Sequence, residues 1–355
     1  MSKIELIQVD SNVPGAYCKQ CGSVDNSGGW KHCKHKFERV IVICDYAGIW
    51  QRKQIEGLYD ERVSLLVSHL PNADWRDTVD LHYFDSESHL EKILQEIEKH
   101  NPGAEIITHN YGNRTPLRVL RHFPQAIVVI HDIHTLGIKE PLHHEARLIE
   151  TAERLVFPSQ QMLDGVRPWM SGAARAIVQH QMVPKKYFSW NNPIVDAIYQ
   201  GRIKDSWADV FRAIREEGKT VKVMPSILTE GADYSMYGSV EPSKNYAKII
   251  AMCSRSRWGL IGSPSVDKSM QRSMSNKFYD YIAAGAVPII LNHPAVAETA
   301  RKYGIGVAVS STDEVIDAMR SEKRWKELRS DLYSVRDKLT MESQREEWGE
   351  LCSLQ

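Results

Sequence analysis

The 355-residue chain carries 45 Lys plus Arg against 45 Asp plus Glu, so it has no global positive field of the kind a nonspecific nucleic-acid binder presents. Its length exceeds one typical core and suits two domains. No apolar run reaches membrane-spanning length, the N-terminus lacks a basic segment followed by an apolar signal region, and six cysteines without a regular framework fit reduced thiols, so a cytoplasmic protein is expected.

In chain order, IELIQV predicts a first short strand. YCKQCGSVDNSGGWKHCKHKF then sets Cys18 and Cys21 as CxxC, followed by His32, Cys33 and His35. Thiolates and imidazoles can hold zinc tetrahedrally, which makes Cys18, Cys21, Cys33 and His35 candidate ligands of a structural zinc; a glycine-rich acceptor loop with incidental cysteines fits the same residues. RVIVIC (39–44), EIITH (105–109), AIVVIH (126–131) and RLVFPS (154–159) read as short buried strands. They alternate with helix-like stretches such as SHLEKILQEIEKH and LHHEARLIETAERL, which indicates an α/β fold with a parallel, doubly wound sheet.

Two of these strand ends carry polar clusters. HNYGNRTPLR offers His109, Asn110 and Arg114 either for an acceptor phosphate or as a helix cap. VVIHDIHTLGI ends a strand with His131, Asp132 and His134, and in an open parallel sheet ligands bind beyond the carboxyl ends of the strands. Asp132 is the candidate general base for an acceptor hydroxyl, with His131 or His134 orienting it or touching the sugar; a capping Asp beside histidines bonded to backbone gives the same sequence.

Residues 174–193 read as a last strand running into a proline-bounded connector, which divides the chain into an N-terminal Rossmann-like domain (1–190), a C-terminal Rossmann-like domain (191–320) and C-terminal helices (321–355) that could pack back across the first domain. AIYQGRIKDSW opens the second domain with a strand, then Gly201, where a phosphate can approach the backbone, then the cations Arg202 and Lys204. SPSVDKSMQRSMSNK supplies Ser263 and Asp267 as candidate sugar contacts in what could equally be a solvated loop. NKFYDYIAAGAVPIIL predicts helix, turn and strand, with Gly285 in the left-handed cap. Asn276 starts that helix, and Lys277 and Asp280 share one of its faces, where a phosphate could lie by Lys277 and a ribose diol by Asp280; a solvent-facing ion pair is the alternative.

NKFYDYIAAGAVPII resembles the signature of the GT-B glycosyltransferases, in which a basic residue, an acidic residue three later, and a small-residue turn before an apolar strand hold the nucleoside diphosphate. The family carries Glu where this chain has Asp280. HDIHTLG is similar to the motif of bacterial galactofuranosyltransferase-like enzymes and to the strand-end Asp-Ile pair of the DNA β-glucosyltransferases of T-even phages. RLVFPSQQMLDGV, ARAIVQHQMVPKKYF, IYQGRIK and a C-terminal helix with Glu-Trp follow in the phage order. The resemblance implies two Rossmann-like domains facing each other across a cleft, a nucleoside-diphosphate sugar donor (expected to be UDP-linked) and Asp132 as catalytic carboxylate. Arg272 stands eight residues before Asp280, where the retaining pattern has a glutamate, so inversion is expected. The expected acceptor is a hydroxyl of 5-hydroxymethylpyrimidine, such as hydroxymethylcytosine, in double-stranded bacteriophage DNA, with magnesium as a candidate aid to diphosphate departure. A polysaccharide or glycolipid glycosyltransferase, and a non-catalytic nucleotide-sugar-binding protein, are the competing expectations.

Overall fold

The computed structural model describes residues 37–46, 48–69, 79–84, 86–110, 114–131, 143–201, 205–225, 239–241, 243, 245–265 and 273–353, with the backbone of 17–18 and 23–24. IELIQV lies outside them. Strands β1 (Tyr17–Cys18) and β2 (Ser23–Val24) form a small antiparallel hairpin. Then follow β3 (Val40–Tyr46), α1 (Ile49–Leu58), β4 (Val63–His69), β5 (Val79–Tyr83), α2 (Glu87–His100), β6 (Glu105–His109), α3 (Arg114–His122), β7 (Ile127–Val129), α4 (His143–Thr151), β8 (Arg154–Phe157), α5 (Gln160–Val166) and β9 (Arg175–Val178). The second half holds β10 (Val195–Gln200), α6 (Ala208–Glu216), β11 (Val221–Met224), β12 (Ser239–Val240), α7 (Tyr246–Cys253), β13 (Ser256–Gly262), α8 (Asn276–Ala284), β14 (Val287–Leu291), α9 (Pro294–Tyr303), β15 (Val307–Val309), α10 (Thr312–Arg320), α11 (Glu322–Val335) and α12 (Arg345–Cys352).

Both large sheets are parallel and doubly wound, the first seven-stranded in the order β5-β4-β3-β6-β7-β8-β9, the second six-stranded in the order β12-β11-β10-β13-β14-β15. Helices cover both faces, which is why the strand sequences are continuous apolar runs rather than alternating ones. In β3, Ile41 and Ile43 pack into the core under α2 to α5, while Val40, Val42 and Cys44 pack on the other face with Trp50 and Ile55 of α1. The α8 helix stops at Gly285, whose φ of 72° is the left-handed cap its sequence predicts.

The last two helices part company. α11 stays on the second sheet through Trp325 and Leu332. The chain then crosses at Thr340, which pairs in parallel with Val183, and α12 docks on the first sheet. There Trp348 Nε1 donates to Tyr59 Oη at 2.7 Å, and the Arg345 guanidinium grips Asp60 and the Gly57 carbonyl at 2.7–2.9 Å. Gly57 permits this approach, since a Cβ there would lie 2.4 Å from Met341 Cβ. Among the described residues no helix is long and apolar enough to cross a membrane.

Trp348 is buried beside Met341 and Leu351. Trp348→Ala removes a large core side chain and its hydrogen bond, and should lower unfolding stability by about 3–5 kcal/mol, read as a shift of the denaturant midpoint at unchanged slope.

Candidate functional site

In doubly wound sheets ligands settle beyond the carboxyl ends of the strands, where strand order reverses. The first sheet reverses between β3 and β6, and the second between β10 and β13. Tyr46 and His109 end the first pair of strands, Gln200 and Gly262 the second.

At the first crevice His109 Nδ1 lies 2.7 Å from His131 Nε2. Trp50, near the start of α1, packs edge-on against His131 with ring centroids 4.1 Å apart. Gln51 accepts the Gly48 backbone N–H through Oε1 at 2.8 Å, which turns its amide nitrogen toward His131 Nε2 at 3.3 Å. With the Gln51 amide nitrogen assigned as donor, His131 Nε2 is the acceptor that Gln51 and His109 Nδ1–H share, and the proton of His131 is assigned to Nδ1. That leaves His109 Nε2 unprotonated, buried and without a hydrogen-bond partner among the described residues. Burial pushes His109 down to about 3, and burial together with the neighbouring His109 pushes His131 well below the ordinary imidazole range. Both rings are neutral at pH 7. Asn110 Oδ1 accepts the His131 backbone N–H at 2.7 Å, so it fixes the end of the β7 segment. Arg114 is exposed at the start of α3, its guanidinium 3.9 Å from Glu87.

At the second crevice Gly201 has φ 99°, a conformation that glycine alone adopts freely, and a Cβ there would come within 3.0 Å of Lys277 Cε. The glycine thus clears the path of the lysine, whose Nζ sits over the Tyr199 ring, 4.7 Å from its centroid. Lys277 and Asn276 form the first turn of α8, where unpaired backbone N–H groups and the helix dipole favour anions. Asn276 Oδ1 is buried with no hydrogen-bond partner among the described residues. Ser263, at the β13 end, is buried, and its hydroxyl lies 3.1 Å from that of Ser265. Asn292, at φ 50°, spans the ends of β13 and β15 by donating to the carbonyls of Ser263, Pro264 and Ser310 at 3.2–3.3 Å.

The two crevices meet through Asp280. Its Oδ1 lies 2.6 Å from Lys53 Nζ of α1 and accepts the Tyr246 hydroxyl at 2.8 Å, while Oδ2 accepts the Gln200 amide at 2.7 Å. Lys53 has no exposed surface, and its second bond goes to the Gln181 carbonyl at 3.1 Å. Desolvation lowers the Lys53 pKa, and the charge of Asp280 opposes that shift. Removing one partner of such a pair strands a buried charge at a cost of about 3–5 kcal/mol.

The structure therefore gathers His109, Asn110 and His131 at one crevice and Gly201, Ser263, Asn276 and Lys277 at the other, with Asp280 behind them. Asp132, His134, Arg202, Lys204 and Asp267 lie outside the described residues, as do the side chains of Cys18, Cys21, Cys33 and His35. Among the described residues no group of three or more His, Cys, Asp or Glu side chains converges to hold a metal ion. Trp50, Gln51, Lys53, Gln200, Tyr246 and Asn292 join the site without a sequence signal of their own, because their partners lie far along the chain.

No protein-family profile matches the chain, and no curated protein sequence matches it. Solved structures do. HepE of Anabaena in complex with UDP superposes with a TM-score of 0.65 at 8% identity, covering 89% of this chain and 100% of that one. An alpha-glucosyltransferase in complex with UDP and a 13-mer DNA containing an HMU base gives 0.61 at 13% identity, over 88% of this chain and 99% of that one. WaaG, a glycosyltransferase involved in lipopolysaccharide biosynthesis, gives 0.60 at 10% identity, over 89% and 100%. The chain has the GT-B fold that its sequence resemblance implies.

The buried histidines give the fold a defined acid sensitivity. Between pH 6.5, the ordinary imidazole value, and about 3, the unfolded chain binds a proton that folded His109 refuses, so stability falls as pH drops through that window. For His109 the loss should reach about 1.6 kcal/mol on going from pH 6.5 to pH 5. Denaturant titrations at those two pH values check it, and His109→Asn should remove one imidazole's share of the slope.

Proposed function

We propose that the chain is a glycosyltransferase that moves a sugar from a UDP-sugar to an acceptor hydroxyl with inversion at the anomeric carbon. The observation that carries this reading is the pairing of the two crevices: an anion-favouring helix start with Lys277 and Gly201 on one sheet, a neutral histidine pair on the other, and a single ion pair between the helices that leave them. HepE in complex with UDP-glucose, similar in fold at a TM-score of 0.64, supports a uridine diphosphate donor. Lys277, with Arg202 and Lys204, meets the charge that builds on the departing diphosphate, and Gly201, Ser263 and Asn276 border the donor. In the transfer the acceptor hydroxyl loses its proton to Asp132, its oxygen bonds to the anomeric carbon, and the carbon–phosphate oxygen bond breaks on the opposite face. His131 carries its proton on Nδ1, which suits it to orient a carboxylate or acceptor oxygen rather than to take the proton itself.

For the acceptor, the fold likeness to an alpha-glucosyltransferase in complex with DNA containing an HMU base supports a hydroxymethylated pyrimidine in duplex DNA. The equal likeness to WaaG supports a saccharide or glycolipid hydroxyl as the second reading. A donor panel assayed against hydroxymethylcytosine duplex, ordinary duplex and a lipid-linked glycan separates them. Transfer to the modified duplex alone, with affinity that falls as salt rises, is the expected result. Transfer to the glycan alone moves the second reading to first place.

Two substitutions test the roles. Lys277→Ala should weaken UDP binding by about 1.5–3 kcal/mol in calorimetry, the worth of a hydrogen bond to a charged group. Asp132→Asn keeps the shape but removes the base, and should lower turnover by about 10²- to 10⁴-fold with donor affinity unchanged. Near-normal turnover, or a product of retained configuration, would take the base role away from Asp132.

A further inference from the structure

We propose that Lys53 and Asp280 are a positioning pair that sets the distance between the histidine end of the first sheet and the diphosphate corner of the second, an inference that rests on the donor reading above. Along α1, Gln51 lies 3.3 Å from His131 Nε2, and two residues on Lys53 bonds Asp280 at 2.6 Å. Along α8, Asp280 sits three residues, less than one turn, after Lys277. At a rise of about 1.5 Å per residue, the path from the histidine pair to the diphosphate cation is two short pieces of rigid helix joined by one ion pair. A sliding of one sheet past the other has to pass through that joint.

The surroundings hold the joint in register. Asp280 receives three donors, Lys53 and Tyr246 on Oδ1 and Gln200 on Oδ2, so each of its oxygens is bonded to protein. Tyr246 is edge-packed against Tyr187, centroids 5.0 Å apart, and the Tyr187 hydroxyl bonds both Arg52 and Glu56 of α1. An apolar pair would bury the same volume at lower desolvation cost and tolerate slippage. A hydrogen-bonded ion pair accepts one arrangement.

The test compares Lys53→Met, Asp280→Asn and the double variant by UDP calorimetry, by UDP release from UDP-glucose with water as acceptor, by thermal midpoint and by small-angle scattering. The single variants strand a buried charge and lose stability, while the double variant has no unpaired charge and regains it. UDP affinity should stay within about twofold in Lys53→Met and in the double variant. UDP release should fall about 10- to 100-fold in both, the scale on which a misplacement of about 1 Å acts. A double variant that regains release together with stability would show the pair to be structural only. Asp280→Asn weakening UDP more than tenfold, with Lys53→Met unaffected, would make Asp280 a ribose ligand instead. A wild-type chain that binds no UDP sinks the donor reading itself, and scattering then judges the pair alone: a radius of gyration unchanged in the double variant overturns it too.

Discussion

A lysine with no exposed surface dictates what can surround it, and Lys53 dictates much of this molecule. Its ammonium needs a carboxylate, the nearest one belongs to the other sheet, and so α1 and α8 must meet. α1 is built for that meeting. Gln51, Lys53 and Gln54 are all fully buried, each with a partner elsewhere: the strand end at His131, the helix of the opposite sheet, and Gln179 in the connector at 2.8 Å. The apolar side of the same helix, Trp50, Ile55 and Leu58, closes the core of the first sheet. One helix thus seals one domain and docks the other.

The two crevices differ in electrostatic character although the chain as a whole is neutral. The described histidine pair of the first carries no charge: burial drives both imidazoles to their neutral forms, and Trp50 walls one of them. The second keeps a cation, placed over an aromatic face at the start of a helix. Under the proposed transfer, holding a diphosphate on one side and taking a proton on the other calls for that asymmetry, and burial supplies it without any excess of charged residues.

Much of the fold was legible in the sequence because a parallel strand buried on both faces leaves a solid apolar run, as in VIVIC before Asp45 and in VPIIL before Asn292. Gly285 was legible as a left-handed cap, since a helix pattern stops there and a strand begins. The strand ends carrying His109, His131 and Gly201 stood out for the same reason: polar or flexible residues follow an abrupt end to apolar ones. α1 was not legible. Nothing in IWQRKQIEGL marks its Gln and Lys side chains as interior, because the matching groups at Gln179, Gln181 and Asp280 lie more than a hundred residues away. Nor does the sequence say that the Asp280 carboxylate, although on the same helix as Lys277, already has three protein donors.

The return of the chain at Thr340 has a mechanical consequence. Two covalent segments pass between the sheets, one outward through Val183 and one returning through Thr340, and a local parallel bridge joins them where they cross. A single tether would let the halves twist and translate, whereas two adjacent tethers behave like a door leaf on a pair of pins. Any bend about the line that joins them has to pull on the buried Lys53–Asp280 pair, which the Gln181 carbonyl ties to the first tether two residues before Val183.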